Sequence, residues 1–312
     1  MRLLTVMDPL STVQPDKDTT FAFLRSAESR GHENLTCEVR DVYLTRGEVR
    51  ARARATYVSD TAPHTRLGAE HDVALADVAA VLVRKDPPFD AAYLYLTLLL
   101  EHARGKTLLI NDPRALRDAN EKLFALQFPE WTPRTIVSAL PDVIHAFVAE
   151  VGGRAVIKPL DGAGGSGVLA LSGDDRNARG IVDLLTGEGR RLAMVQEYLP
   201  AVRTGDKRVL LLDGEPLGAI LRVPRADDLR SNIHVGGSVE PAELTARERE
   251  MVAALAPRLR AEGLVFVGLD VIGERLTEVN VTSPTGIQQL GRFTGTRPED
   301  RVIEWIEQRA RS

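Results

Sequence analysis

One cysteine in 312 residues, Cys37, excludes an intrachain disulfide and fits a reducing cytosol. It reads as a small apolar filler in a strand. Lys and Arg total 40 against 44 Asp and Glu, so no basic excess argues for a nucleic-acid partner. No apolar run follows a basic N-terminal segment, and no stretch has the length of a membrane span. Nor is there an evident Ser-His-Asp or Cys-His arrangement for covalent catalysis. The expectation is a soluble, cytoplasmic protein whose 312 residues form a large core divided into two or three subdomains.

What the chain does have is order. Arg2–Met7 reads as a strand, and Thr19 as the cap of a helix running to Arg30. Strands near Thr36–Val39, Val78–Val83 and Leu108–Ile110, with an apolar helix near Ala91–Ala103, predict a Rossmann-like parallel α/β domain over residues 1–118. The run Val49–Val58 reads as basic and irregular, a solvated or intersubunit hairpin. From 119 to 312 the strands come in pairs, as two units divided near 195. Arg154–Lys158 and Val168–Leu171 flank a glycine loop, and Ala193–Glu197 follows a helix near Asn177–Leu185. Arg208–Leu212 and Leu217–Leu221 form a hairpin around Asp213-Gly214. Thr245 with Glu248 makes a capping box, and Pro257 is a candidate kink in the helix that follows. Ala226–Val239 reads as a mobile loop.

Asp270, Glu278 and Asn280 sit inside two strongly apolar strands, Leu264–Ile272 and Leu276–Val281. An unpaired carboxylate there costs on the order of several kcal/mol, so a cation must meet it. Mg²⁺ suits such oxygen ligands; a salt bridge to a nearby arginine is the alternative. Glu278 and Asn280 share a face. For Asp270 to join them, the connection must have odd length, most simply Gly273, Glu274 and Arg275, or a bulge must restore the parity. Gly162-Ala163-Gly164-Gly165-Ser166-Gly167 matches the dinucleotide fingerprint in letters, but a strand follows it where the fingerprint requires a helix. A glycine hairpin of this kind lays backbone amides against phosphates or is simply a turn. Lys158 ends the strand before it.

Together these stretches resemble an ATP-grasp ligase, and more narrowly the bacterial glutathione synthetase family. Asn120-Glu121-Lys122-Leu123 is a characteristic stretch, and the specific runs are Arg84-Lys85-Asp86-Pro87-Pro88-Phe89-Asp90 and Val279-Asn280-Val281-Thr282-Ser283-Pro284-Thr285. The resemblance implies an ATP-grasp fold behind the N-terminal domain. It also implies ligation of γ-glutamylcysteine to glycine through an acylphosphate, with ATP as co-substrate and two Mg²⁺ or Mn²⁺ ions. Positioning and charge neutralisation then carry the catalysis. By the same resemblance Lys122, Lys158, Gly162, Gly164, Gly165, Ser166 and Gly167 meet the phosphates. Gln196, Glu197, Tyr198, Leu199 and Asp206 surround the nucleoside. Arg208 and Arg222 meet the transferred phosphoryl group, with surface ion pairs as the alternative. Asp270, Glu278 and Asn280 hold the metals. Lys17, Arg84, Asn280, Ser283 and Thr285 hold the peptide acid, and Arg230, Asn232, Gly236 and Gly237 belong to a covering loop. A homotetramer is implied as well.

One departure stands out. Where the family commonly reads Cys-Ile-Arg-Glu, this chain has Gly286-Ile287-Gln288-Gln289. An amide at Gln289 suits a substrate ammonium less strongly than a carboxylate. That leaves open a related ligase acting on another γ-glutamyl acid or amine. A catalytically silent nucleotide-binding regulator is the third reading, and the retained lysines and metal-type residues argue against it.

Overall fold

The computed structural model describes residues 1–224 and 237–310. Its first part runs β1 (Arg2–Met7), α1 (Thr19–Ser29), β2 (Glu33–Cys37), β3 (Val42–Thr45), β4 (Glu48–Val58), β5 (Thr65–Ala74), β6 (Ala80–Arg84), α2 (Ala91–Glu101), β7 (Leu108–Ile110) and α3 (Pro113–Asp118). Strands β2, β1, β6 and β7 pair in parallel in that order, as the βα alternation predicts. β3, β4 and β5 extend the sheet antiparallel beyond β2.

Two expectations change here. The run Val49–Val58 is not irregular but most of β4, with Val49, Ala51, Ala53 and Ala55 buried and Arg52 and Arg54 exposed. Period-two alternation seats the small residues inward and leaves one face solvated. And α1 is capped by Asp18, not Thr19: Asp18 Oδ1 accepts from Thr20 N at 2.6 Å and Phe21 N at 3.1 Å. Cys37 is buried at the end of β2, and burial pushes its thiol far above the ordinary range.

Next come β8 (Thr135–Ser138), α4 (Pro141–Glu150), β9 (Arg154–Pro159), β10 (Leu169–Ser172), α5 (Ala178–Thr186) and β11 (Ala193–Glu197). Their four strands form an antiparallel sheet in the order β10-β9-β11-β8. Ile144, Phe147, Ile157, Leu171, Val182 and Val195 give it an apolar cluster of its own.

The last part holds β12 (Asp206–Leu212), β13 (Glu215–Val223), β14 (Ser238–Ala242), α6 (Ala246–Glu262), β15 (Phe266–Ile272), β16 (Arg275–Asn280), α7 (Ile287–Thr294) and α8 (Pro298–Ala310). Its five strands are antiparallel in the order β14-β13-β12-β15-β16. The Thr245–Glu248 capping box is formed, and α6 continues through Pro257 to Glu262. Of the run read as a loop, Ser238 and Val239 belong to β14; residues 226–236 lie outside the described residues.

This sheet and the N-terminal one share a core in which Leu4 and Val81 join the same cluster as Leu269 and Val279. Asn111 pins the junction. Its Nδ2 donates to Phe266 O and Val281 O at 2.9 and 2.7 Å, and its Oδ1 accepts from Val265 N and Phe266 N at 2.8 and 2.9 Å. Every hydrogen-bonding capacity of that buried amide is engaged on the strand pair that carries Asp270 and Asn280.

Candidate active site

Register brings the site together. Across three adjacent strands Arg208 pairs with Asp270, and Asp270 with Glu278; one step along, Asp206 pairs with Arg222 and Gly268 with Asn280. Opposed residues of an antiparallel ladder point to the same side, so all of these side chains share one face. The connection between β15 and β16 has two residues, Gly273 and Glu274, both with positive φ (56° and 62°), a twist-matched hairpin turn. The simpler expectation, a three-residue connection, is therefore wrong, and its alternative holds. Thr277 is the extra residue of a bulge between the pairs Val271–Leu276 and Asp270–Glu278. The bulge sends Leu276 into the core with Val271 and returns Glu278 to the face of Asp270. Gly268 clears room on that face, since a Cβ there would meet Arg208 Cδ and Pro284 Cβ at 2.9 Å.

Above this face lies a cleft of about 500 Å³. At one end Val156, Gln196, Glu197, Tyr198, Leu199 and Val202 line an apolar recess, closed off by Gly162, Gly164, Gly165 and Ser166 from the glycine loop. No helix follows that loop; β9 and β10 pair antiparallel around it. Gly167 does not line the cleft but packs on Pro159. Lys158, buried at 8 % exposure, meets the carbonyl of Thr277, the bulge residue, at 3.4 Å. Lys122 then bridges the two walls, donating to Gly162 O at 2.6 Å and to Glu278 Oε1 at 2.9 Å.

The middle of the cleft is ionic. Arg208 grips Asp270 in a two-pronged pair (2.5 and 3.0 Å), and Arg222 reaches Asp270 at 2.9 Å and Asp206 at 2.5 Å. Burial alone would raise the Asp270 carboxyl, but the two guanidinium groups outweigh it and hold it well below the usual range. Arg222 is pushed above its ordinary value because Asp206 and Asp270 outweigh its burial. Lys158 moves the opposite way: burial depresses it, and among the described residues no carboxylate lies within ion-pair distance. Arginine pairing is thus the state of Asp270, while Glu278 pairs with a lysine.

At the far end Arg208 Nη1 donates to Thr285 O at 3.3 Å, and Arg84 Nη2 to Pro284 O at 3.0 Å. Arg84 is 5 % exposed, its guanidinium 5.6 Å from the ring centroids of both Phe23 and Phe266, and its Nε donates to Thr20 Oγ1 at 3.1 Å. Burial lowers its pKa, and no carboxylate among the described residues pairs with it. Lys17, Asn280, Ser283, Thr285 and Gln289 line this end too. Gln289 is 5 % exposed and its Oε1 has no hydrogen-bond partner. Gln288 does not line the cleft. Gly237 is described but also lies off it, and Arg230, Asn232 and Gly236 lie outside the described residues.

Glu121 escaped the sequence reading as a site residue although its motif was noted. It lines the cleft beside Lys122, and its Oε1 accepts from Val281 N, Thr282 N and Thr282 Oγ1 at 2.9, 3.1 and 2.9 Å. Burial and the nearby Glu278 raise its pKa. Three backbone and hydroxyl donors on one carboxylate make it a splint for the segment after Asn280; a signal for that needs the tertiary contact, not the residue type. Among the described residues no group of three or more His, Cys, Asp or Glu is arranged to hold an ion. The oxygen set is two carboxylates and one amide, which fits Mg²⁺ or Mn²⁺ completed by phosphate oxygens and water.

Residues 1–117 match the family of the prokaryotic glutathione synthetase N-terminal domain, and residues 121–295 that of the prokaryotic glutathione synthetase ATP-grasp domain. The chain is 43% identical to the glutathione synthetase of Synechocystis sp., covering 98% of this chain and 99% of that one. It is 45% identical to that of Yersinia pestis, covering 93% and 92%. Among solved structures the fold resembles the D-cycloserine synthetase DcsG (TM-score 0.68, 17% identity, 97% and 99% coverage). It also resembles the ATP-grasp ligase PsnB (TM-score 0.66, 16% identity, 99% and 98%). The chain belongs to the prokaryotic glutathione synthetase family, a family of ATP-dependent carbon–nitrogen ligases with an ATP-grasp fold.

Proposed function

We propose that this chain joins γ-glutamylcysteine to glycine, converting ATP to ADP and phosphate. The observation that carries the reading is a pair of buried cations at opposite ends of one cleft. Lys158 and Arg84 are each less than a tenth exposed, and neither meets a carboxylate among the described residues. A buried, unpaired cation is costly, and an anionic ligand relieves that cost. Lys158 lies beside the glycine loop and suits nucleotide phosphates; Arg84 lies beside Ser283–Thr285 and suits a carboxylate of the peptide acid.

The roles follow the order of the walls. The adenosine occupies the recess at Gln196–Leu199 with Asp206 nearby. Lys122, Lys158 and the loop Gly162–Gly167 hold the phosphates. Arg208 and Arg222 turn from Asp270 toward the transferred phosphoryl group, whose oxygens match their forks. Asp270, Glu278 and Asn280 would then hold two Mg²⁺ or Mn²⁺ ions, which supply charge neutralisation on the phosphates when bound. Lys17, Arg84, Ser283, Thr285 and Gln289 orient the acid.

In the first step the carboxylate attacks the γ-phosphorus, forming an acylphosphate and ADP. In the second the glycine amine attacks the activated carbonyl, phosphate leaves, and the amine gives up a proton. No enzyme nucleophile is required, so holding the groups in line is what the cleft contributes. The reducing cytosol and a homotetramer belong to the same reading. Incubation with ATP, Mg²⁺, γ-glutamylcysteine and glycine should yield the tripeptide by mass, with one ADP per product. ATP consumption without that product, or product only from a different γ-glutamyl acid or amine, would overturn the substrate assignment; the unpartnered Gln289 Oε1 makes the second outcome the competing one.

A further inference from the structure

Gln288 and Gln289 are chain neighbours on α7 with different surroundings. Gln289 lines the cleft, whereas Gln288, 7 % exposed, turns to the segment before α1. Its Nε2 donates to Pro15 O at 2.9 Å and to Asp18 O at 2.6 Å, so both hydrogens of the amide are used. One helical turn on, Arg292 Nη1 donates to Asp16 O at 2.8 Å. Side chains of α7 thus hold three carbonyls within four consecutive residues.

That segment is not a regular element, and it forms part of the cleft wall. Lys17 and Asp18 both line the cleft. Asp18 also caps α1, whose Thr20 holds Arg84. On its other side α7 follows directly from Ser283–Thr285, the opposite wall of the same end. We propose that Gln288 is a positioning residue for the acid substrate: by clamping Pro15–Asp18 to α7 it fixes Lys17 and, through Asp18 and Thr20, the Arg84 guanidinium. This rests on the reading of that end as the acid-binding end. The requirement is chemical: the side chain at 288 must donate two hydrogen bonds. A glutamate of the same shape accepts only and would face two carbonyl oxygens; methionine fills the space and donates nothing.

The test uses the full-length enzyme with Gln288→Glu and Gln288→Met. Steady-state kinetics would be measured for each substrate, alongside the melting temperature and amide hydrogen exchange of residues 13–18. Both variants should raise the KM for γ-glutamylcysteine about tenfold or more, as expected for two lost hydrogen bonds, and leave the KM for ATP within about twofold. Exchange should quicken in residues 13–18 ahead of the rest of the chain. A γ-glutamylcysteine KM that stays at the wild-type value in either folded variant overturns the role. So does a joint rise in both KM values with a fall in melting temperature, which marks general loosening. If neither variant folds, Arg292→Met decides: a smaller rise confined to the acid supports the clamp, and no change overturns it. Wild-type turnover separates this question from the parent reading. Its absence sinks the reading of the cleft, while unchanged variants beside an active wild type sink only the clamp.

Discussion

The two faces of the C-terminal sheet are made by alternate residues of the same strands, yet only one of them carries buried ions. One face carries Asp206, Arg208, Arg222, Asp270, Glu278 and Asn280. The other carries Val209, Leu211, Val267, Leu269, Val271, Leu276 and Val279, packed with Met251, Leu255 and Leu259 of α6. The apolar face can be judged residue by residue from hydrophobicity, because burial is non-directional. The charged face cannot, because each ion there is tolerable only through its neighbours on other strands. The ionic face has an apolar part of its own, where Leu210, Leu212, Ile220 and Phe266 join a second cluster, and the bulge at Thr277 keeps Glu278 on the ionic side.

Substitutions on the two faces should therefore fail differently. The largest effect is expected for Asp270→Ala, which strands the buried Arg208 guanidinium and leaves Arg222 with Asp206 alone among the described residues; it should lower unfolding free energy by about 3–5 kcal/mol and remove turnover. Denaturant unfolding that matched the wild type would break the comparison. Glu278→Gln keeps shape and should cut turnover by about a hundredfold or more while changing nucleotide affinity much less, as expected for a group that would hold the metal ions neutralising the phosphoryl oxygens. Product formation set against calorimetric titration with a non-hydrolysable ATP analogue separates the two. Lys158→Met should weaken that analogue by about tenfold or more, the order of a lost charge-assisted bond.

Lys158 also sets a pH signature. Its folded pKa lies below the ordinary lysine value because burial disfavours the charged form. Phosphate binding needs that charge, so affinity should be full at low pH and fall as pH rises through the depressed value, earlier than for an ordinary lysine. Lys158→Arg should shift that alkaline loss beyond the measurable range, and titrations at stepped pH would show it. The smallest effect belongs to the apolar face. Val279→Ala should cost about 2 kcal/mol of stability and leave nucleotide affinity where it was. An affinity change there would show that the faces are not independent.

Much of this was legible in advance, for reasons that differ by residue. Lys158, the glycine loop and the apolar strands around Asp270 announce themselves because polar groups in apolar runs are conspicuous. The parity argument limited the β15–β16 connection to two solutions, but choosing the bulge required the pairing itself. β5 went unread because Arg66, Glu70 and Asp72 give its sequence no apolar alternation; it forms as the partner of β4. β4 was misjudged because its inward residues are mainly alanines, which carry a weak hydrophobic signal. The different partners of Gln288 and Gln289 depend on where residues 15–18 pass, some 270 positions earlier in the chain, and no local pattern contains that.

The burial of Cys37 has a consequence for an enzyme that handles thiols. Acid substrate and product in the proposed reaction each carry a free sulfhydryl, and either can oxidise. Disulfide exchange needs an accessible thiolate to attack or be attacked. The chain's one thiol is sealed at the end of β2 and held protonated by its surroundings. The catalyst therefore offers its own cargo no sulfur to form a mixed disulfide with, and swings in the redox state of that pool leave it chemically unmarked.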